Sequence, residues 1–203
     1  MTWGRDTDEH EARDQWKTFL EAGGSFIDTA DVYADGASEE LIGMLLNETH
    51  SRDKVVIATK AVSRPRTQRR CDASRGHLLA SLEGSLNRLD TDYIDVWYLH
   101  AWDPWTPLDE TLAAADDAVR SGKVRYVAVS NYAGWQLARP APWQQAGVGR
   151  SPTAAAQLAY SLVQRGIEAE VRSSAQELGH GIPPWSPLGP GAGPAESARP
   201  HPR

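Results

Sequence analysis

Cysteine is all but missing from these 203 residues: Cys71 stands alone. A single thiol cannot close an internal disulfide, and zinc has no cysteine cluster to use, so no metal site is expected and the chain suits a reducing, cytoplasmic compartment. Long hydrophobic runs are missing as well. No apolar stretch approaches the roughly 20 residues that cross a bilayer, and the opening MTWGRDTDEHEARD is too polar for a secretory leader, so no membrane partner is expected. Cations are in deficit, with 21 Lys and Arg against 27 Asp and Glu. The resulting net charge of -6 argues against a general nucleic-acid binder, which needs clustered Lys and Arg for phosphates. The G-x-G-x-x-G turn of open nucleotide-binding sheets is also absent.

What is present is ordinary globular material, 40% hydrophobic and 24% charged, long enough for one domain with a real core. Strand-like and helix-like segments alternate. Residues 8 to 22 read as an amphipathic helix with Trp16, Phe19 and Leu20 on one side, closed by Gly23 and Gly24. SFIDTA reads as a buried strand, and residues 38 to 48 as a helix with Ser38 as its N-cap. KVVIATK is a strand, 72 to 90 a helix, YIDVWYLH a strand, 107 to 121 a helix between a proline and Gly122. KVRYVAVSN is a strand, 134 to 146 a short helix interrupted at Pro140 and Pro142, TAAAQLAY a strand and 168 to 178 a helix, while GIPPWSPLG stands where a further strand is due.

Repeated βα units with nearly continuous apolar strands imply a parallel sheet covered by helices, either a closed barrel or an open doubly wound sheet. Polar residues decide between them. Asp28, Lys60 and His100 each end a strand-like run, and Tyr33 follows Asp28 by five positions. In a barrel such strand ends face one crevice, whereas an open sheet gathers its site at one switch point, so the (β/α)8 TIM barrel is favoured. Each residue taken alone has a plainer reading: Asp28 as a turn residue, Tyr33 as a packed ring, Lys60 as a solvated strand end, His100 as a hydrogen-bonded structural histidine. Their joint order points to an active site.

The segments GGSFIDTADVYADGASEELIG, VVIATK, YIDVWYLHAWDPWTPLDETL, VRSGKVRYVAVSNY, QLAYSLVQRGIE and PWSPLGPG resemble, in order over roughly residues 2 to 191, those of the aldo-keto reductases, particularly the bacterial members similar to potassium-channel β-subunits. The resemblance implies a (β/α)8 barrel that reduces an aldehyde or ketone with a nicotinamide dinucleotide, usually NADPH, with NAD as the alternative. It makes Tyr33 the general acid, Lys60 the ammonium that lowers the pKa of Tyr33, Asp28 the counter-charge of Lys60, and His100 the donor that orients the substrate carbonyl. It also places Ser130, Asn131 and Gln157 on the nicotinamide carboxamide, Trp185 against the nicotinamide ring, and Ser186, Leu188 and Gly189 in the loop approaching the pyrophosphate. Gln157 is telling on its own, since an amide inside AAAQLAY needs a partner. Trp102 and Trp105 could wall a substrate pocket or equally pack on the following helix, and RPRTQRR at 64 to 70 reads as a solvated basic loop.

The chain departs from the family pattern at both ends. The expectation is one barrel domain over 1–189, incomplete, with MTW as the end of a first strand and the last helix-strand-helix missing, followed by a Pro/Gly/Ala-rich tail, 190–203, without fixed structure. Pro183 and Pro184 sit awkwardly in what should be a central strand. Two other readings stand beside carbonyl reduction. One is a catalytically inactive remnant or regulatory nucleotide-binding subunit of the same fold. The other is a Schiff-base aldolase using Lys60, which leaves Gln157 and WSPLG unexplained.

Overall fold

A computed structural model describes residues 2–188. Gly189 and the tail 190–203 therefore lie outside the described residues. Six strands form one sheet: β1 (Phe26–Asp28), β2 (Val56–Ala61), β3 (Ile94–Leu99), β4 (Val124–Ser130), β5 (Thr153–Ala159) and β6 (Pro184–Trp185). Their spatial order is their chain order and every neighbouring pair is parallel. A doubly wound sheet would reverse order at a switch point, so this sheet is singly wound, an incomplete (β/α)8 barrel.

The sheet also curls. Gln157 on β5 donates through Nε2 to Oδ1 of Asp28 on β1 at 2.9 Å. In a flat sheet, four interstrand steps of about 4.8 Å would hold these strands about 19 Å apart. Two side chains can meet only if they point into the same concave face. The period of two along each strand then sorts the residues: Ile57, Trp97, Leu99, Val127 and Val129 face outward into the main core, while Ala58, Tyr98 and Ala128 form a small inner cluster.

The outer layer consists of α1 (Glu9–Glu21), α2 (Ala37–Thr49), α3 (Arg75–Leu89), α4 (Leu108–Arg120), α5 (Gly134–Ala138), α6 (Ala141–Gln145) and α7 (Val171–Glu177). Asp8 caps α1 by accepting from the Glu11 N–H, α4 follows Pro107 and stops before Gly122 at φ 80°, and Pro140 separates α5 from α6. Three local expectations are corrected. Ser38 does not cap α2. The cap is Gly36 at φ 100°, and the Ser38 hydroxyl is buried against Thr29 Oγ1 at 3.0 Å. Phe19 does not join Trp16 in the core but is half-exposed, its ring lying over the bare face of Gly24. Of MTW, the described Thr2 and Trp3 belong to no strand of the sheet, because the Thr2 carbonyl accepts from the amides of Arg5, Asp6 and Thr7 and Gly4 turns the chain at φ 81°, leaving Trp3 packed on Trp16.

The two prolines are accommodated by how β6 pairs. Gly181 exchanges hydrogen bonds with Ala154 and Ala156, and Pro184 and Trp185 stand opposite Leu158 and Ala159. Among the described residues β6 is an edge, the position in a sheet where a missing N–H costs least.

Helices α2 and α3 approach closely at Gly43, where a Cβ would lie 2.5 Å from the Arg88 carbonyl oxygen and 2.8 Å from the Leu89 backbone carbon. Alanine in a helix is ordinarily worth up to about 1 kcal/mol over glycine. Here the contact is with backbone that cannot yield, so Gly43→Ala is expected to destabilise the fold by about 1–3 kcal/mol in urea denaturation.

Candidate active site

The inward positions at the C-terminal ends of the strands carry Asp28 on β1, Lys60 on β2, His100 just after β3, Ser130 on β4 and Gln157 on β5. Lys60 is fully buried, and its Nζ donates to Asp28 Oδ2 at 2.6 Å and to the Thr29 carbonyl at 2.7 Å. Burial pulls the pKa of Lys60 down, and the charge of Asp28 is the main force opposing it. The Thr29 carbonyl was invisible to sequence reading, because backbone atoms carry no residue signature.

Tyr33 enters from a tight turn after β1. Ala34 and Asp35 hold positive φ, 49° and 55°, in the stretch Tyr33–Gly36. A left-handed alanine costs about 1 kcal/mol, a strain the fold carries next to this cleft. The turn brings the Tyr33 ring to 5.0 Å from Lys60 Nζ and edge-on to the His100 ring, centroids 5.9 Å apart at 76°.

The electrostatics differ from expectation in one respect. Lys60 was expected to lower the pKa of Tyr33, yet Tyr33 is pushed up to about 12, first by burial and then by the charge of Asp28. The reason is geometric. The ammonium spends its hydrogen bonds on Asp28 and the Thr29 carbonyl, and it lies over the ring rather than against the hydroxyl. His100 is pushed down to about 4 by burial, with Lys60 adding to the effect, so its imidazole is neutral at pH 7. Its Nδ1 is buried without a hydrogen-bond partner.

These groups open onto a cleft of about 600 Å³. Its lining brings Asp28, Tyr33 and His100 together with Ser130, Asn131, Gln157, Trp185 and Ser186, and includes Phe26, Pro183 and Pro184. Phe26 was missed in the sequence, although it shares the inward period of Asp28. Asn131, at φ 59°, ties three of these residues together: its Nδ2 donates to the His100 carbonyl and to Ser130 Oγ, both at 3.0 Å, and its Oδ1 accepts from the Trp185 indole at 3.1 Å.

Other expected residues fall elsewhere. Leu188 is exposed and is not among the residues lining this cleft, and Gly189 lies outside the described residues. Trp102 packs edge-on against Tyr132 and Trp135, centroids 5.3 and 5.5 Å away, and Trp105 is 76% exposed; neither lines the cleft. The basic loop is less free than it reads. Arg64 pairs with Asp72 within the loop, while Arg66 with Asp35 and Arg69 with the buried Asp103 join it to the loops after β1 and β3. Among the described residues no group of three His, Cys, Asp or Glu could hold a metal ion, and no helix is long and apolar enough to cross a membrane.

Comparison with known proteins agrees with this architecture. The model of the aldo/keto reductase family matches residues 1–202. The chain is 38% identical to an uncharacterised oxidoreductase of Bacillus subtilis, YrpG, over 94% of this chain and 61% of that protein. It is 33% identical to an aryl-alcohol dehydrogenase of Pestalotiopsis microspora, over 86% of this chain and 47% of that protein. It is likewise 33% identical to a norsolorinic acid reductase of Aspergillus flavus, over 86% of this chain and 46% of that protein. The chain thus spans about half to three fifths of the length of these relatives.

The depressed pKa of His100 has a measurable consequence for stability. Between its ordinary value and about 4 the unfolded chain binds a proton that the folded one refuses, so this contribution is full above about pH 6.5 and is lost as the pH falls toward 4. His100→Gln is expected to flatten the acid side of the stability profile by up to about 3 kcal/mol across that window, read by urea titrations at a series of pH values. An unchanged difference between variant and wild type at every pH would contradict the burial of a neutral imidazole.

Proposed function

The chain belongs to the aldo/keto reductase family, and from that membership and the geometry of the cleft we propose that it reduces an aldehyde or ketone to an alcohol with NADPH, or alternatively NADH, Tyr33 serving as general acid. One observation carries the reading: Tyr33, His100 and Asp28, the last with the buried Lys60 bonded to it, meet at a single cleft whose lining also bears a hydroxyl and two amides.

That lining fits a nicotinamide. Ser130, Asn131 and Gln157 offer the mixture of donors and acceptors that a carboxamide requires, and they are at present satisfied by one another and by Asp28, Trp185 and the His100 carbonyl, bonds a bound carboxamide can replace in kind. The Trp185 ring, 41% exposed beside them, offers a stacking face, and Ser186 follows it in the cleft lining, on the side where the resemblance sets the pyrophosphate. When bound, the dihydronicotinamide supplies a hydride to the carbonyl carbon.

The remaining steps belong to the protein. The high pKa of Tyr33 keeps its hydroxyl loaded with a proton at neutral pH, and that proton passes to the carbonyl oxygen as alkoxide character develops. The phenolate left behind lies beside the Lys60 ammonium, which Asp28 and the Thr29 carbonyl hold in place. The neutral His100 imidazole has one N–H to give to the substrate oxygen, which fixes the direction of approach. Lys60 as a Schiff-base nucleophile fits less well, because its nitrogen is committed to two hydrogen bonds. The aryl-alcohol dehydrogenase among the relatives makes aryl aldehydes the first substrates to assay.

If Tyr33 is the acid, Tyr33→Phe abolishes carbonyl reduction and leaves NADPH affinity, followed by quenching of the 8 tryptophans, nearly unchanged. NADPH binding with no reduction by the unaltered chain would favour a non-catalytic nucleotide-binding subunit instead. The supporting charges are tested separately. Lys60→Met is expected to cut turnover by roughly 10² or more, and Asp28→Asn by less, since an amide still accepts from the lysine. Unaltered pH–rate profiles in both variants would remove Lys60 from the mechanism.

A further inference from the structure

Two cations and three carboxyl groups cluster around the ends of β1 and β2, and the pairing leaves one carboxyl over. Lys60 is bonded to Asp28 at 2.6 Å. Behind it, Arg88 on α3 is bonded to Glu39 on α2 at 2.7 Å, and the fully buried Glu39 also accepts from Thr59 Oγ1 at 2.5 Å. The third carboxyl is Asp31. Its backbone N–H donates to the Lys60 carbonyl at 3.1 Å, which fixes it beside the lysine, and its Oδ1 is buried with no hydrogen-bond partner. The groups facing Asp31 are Glu39 from α2, Arg88 and Ser81 from α3 and Lys60 from β2. Both cations among them already have a carboxylate. An ionised Asp31 would place a second negative charge near Glu39 without a cation of its own, a costly arrangement in a partly dehydrated site. In keeping with this, burial and then Glu39 push Asp31 up to about 7, with Arg88 and the hydrogen bonds of the Val32 amide and the Ser81 hydroxyl pulling the other way.

We propose that Asp31 is a titrating positioning residue of the Lys60 site: protonated, it leaves Asp28 as the counter-charge of the lysine, and ionised, it adds a second negative charge beside the site that, like the charge of Asp28, opposes formation of a Tyr33 phenolate. The proposal rests on the roles given above to Tyr33 and Lys60. Its chemistry is one proton, which leaves the Asp31 carboxyl for solvent as the pH rises and returns as it falls. With Asp31 ionised, a Tyr33 phenolate is harder to form, so carbonyl reduction slows above neutrality through a group that touches neither substrate nor cofactor.

The titration is measurable without any turnover. Difference infrared spectra of the chain against Asp31→Asn should show a protonated carboxyl band at about pH 5 that fades around neutrality and is gone by about pH 9. Stability gives a second reading. A carboxyl whose pKa is higher folded than unfolded stabilises fully below its unfolded pKa, and that contribution is lost as the pH rises through the folded value. Asp31→Asn should therefore melt several degrees above wild type at about pH 9, with the gap closing toward pH 4. Asp31→Glu should restore both the band and the slope. Absence of the band at every pH, or a melting offset independent of pH, would overturn the proposal and leave Asp31 a structural residue. Tyr33→Phe should leave the band and the slope in place, so failure of the assigned chemistry and failure of this inference are read separately. In the active enzyme, Asp31→Asn should hold reduction level above neutrality where the wild-type rate falls several-fold.

Discussion

The carboxylate of Asp28 is the point on which the remainder of the site depends. One oxygen takes the Lys60 ammonium and the other the Gln157 amide, so a single residue on β1 binds β2 beside it and β5 across the barrel interior. That chord is possible only in a curled sheet, and in turn it holds the curl at the mouth of the cleft. Lys60 has no contact with solvent, and breaking a buried ion pair by removing one partner typically costs about 3–5 kcal/mol, because the survivor is left charged and dehydrated. Asp28 itself is a third exposed, which leaves it reachable from the cleft.

From this arrangement the other electrostatic properties follow. Lys60 gives two of its three N–H donors to Asp28 and the Thr29 carbonyl and makes no hydrogen bond to Tyr33, and burial rather than the ammonium sets the direction of the tyrosine pKa. The same burial and the same ammonium keep His100 neutral. A second ion pair, Glu39 with Arg88, lies behind the first, and the unmatched Asp31 lies beside both. The site is thus built from two ion pairs with a third carboxyl beside them.

The rim is organised by polar contacts instead of a continuous apolar wall. Asp103, with its side chain fully enclosed, accepts from the backbone amides of Ala73 and Trp105 and from Arg69 and Thr106, which binds the loop after β2 to the loop after β3. Glu170 accepts from the Trp135 amide and so joins the start of α5 to the segment before α7. These bonds keep the strand-end loops in place around a sheet whose outer strands, β1 and β6, are edges among the described residues.

Much of this was legible in the sequence. Apolar runs alternating with helical periodicity specified βα units and a parallel sheet, and polar residues at strand ends favoured a barrel and named the side chains that meet at the cleft, because both signals are local: a period of two or 3.6 and a break in hydrophobicity are written in consecutive residues. Gln157, polar inside an apolar strand, announced that it needed a partner, but only the folded chain shows that the partner is Asp28, 129 positions away. The Ser38 hydroxyl, read as a cap, went to Thr29, a partner nine positions away, while Thr2 and Trp3, read as the end of a strand, entered a turn closed by the local amides of Arg5, Asp6 and Thr7. The direction of the Tyr33 pKa was likewise beyond a one-dimensional reading. Sequence determined which ionisable groups this protein would gather. Tertiary structure alone decided which of them spend their charge on each other, since pairing, burial and distance are properties of residues far apart in the chain.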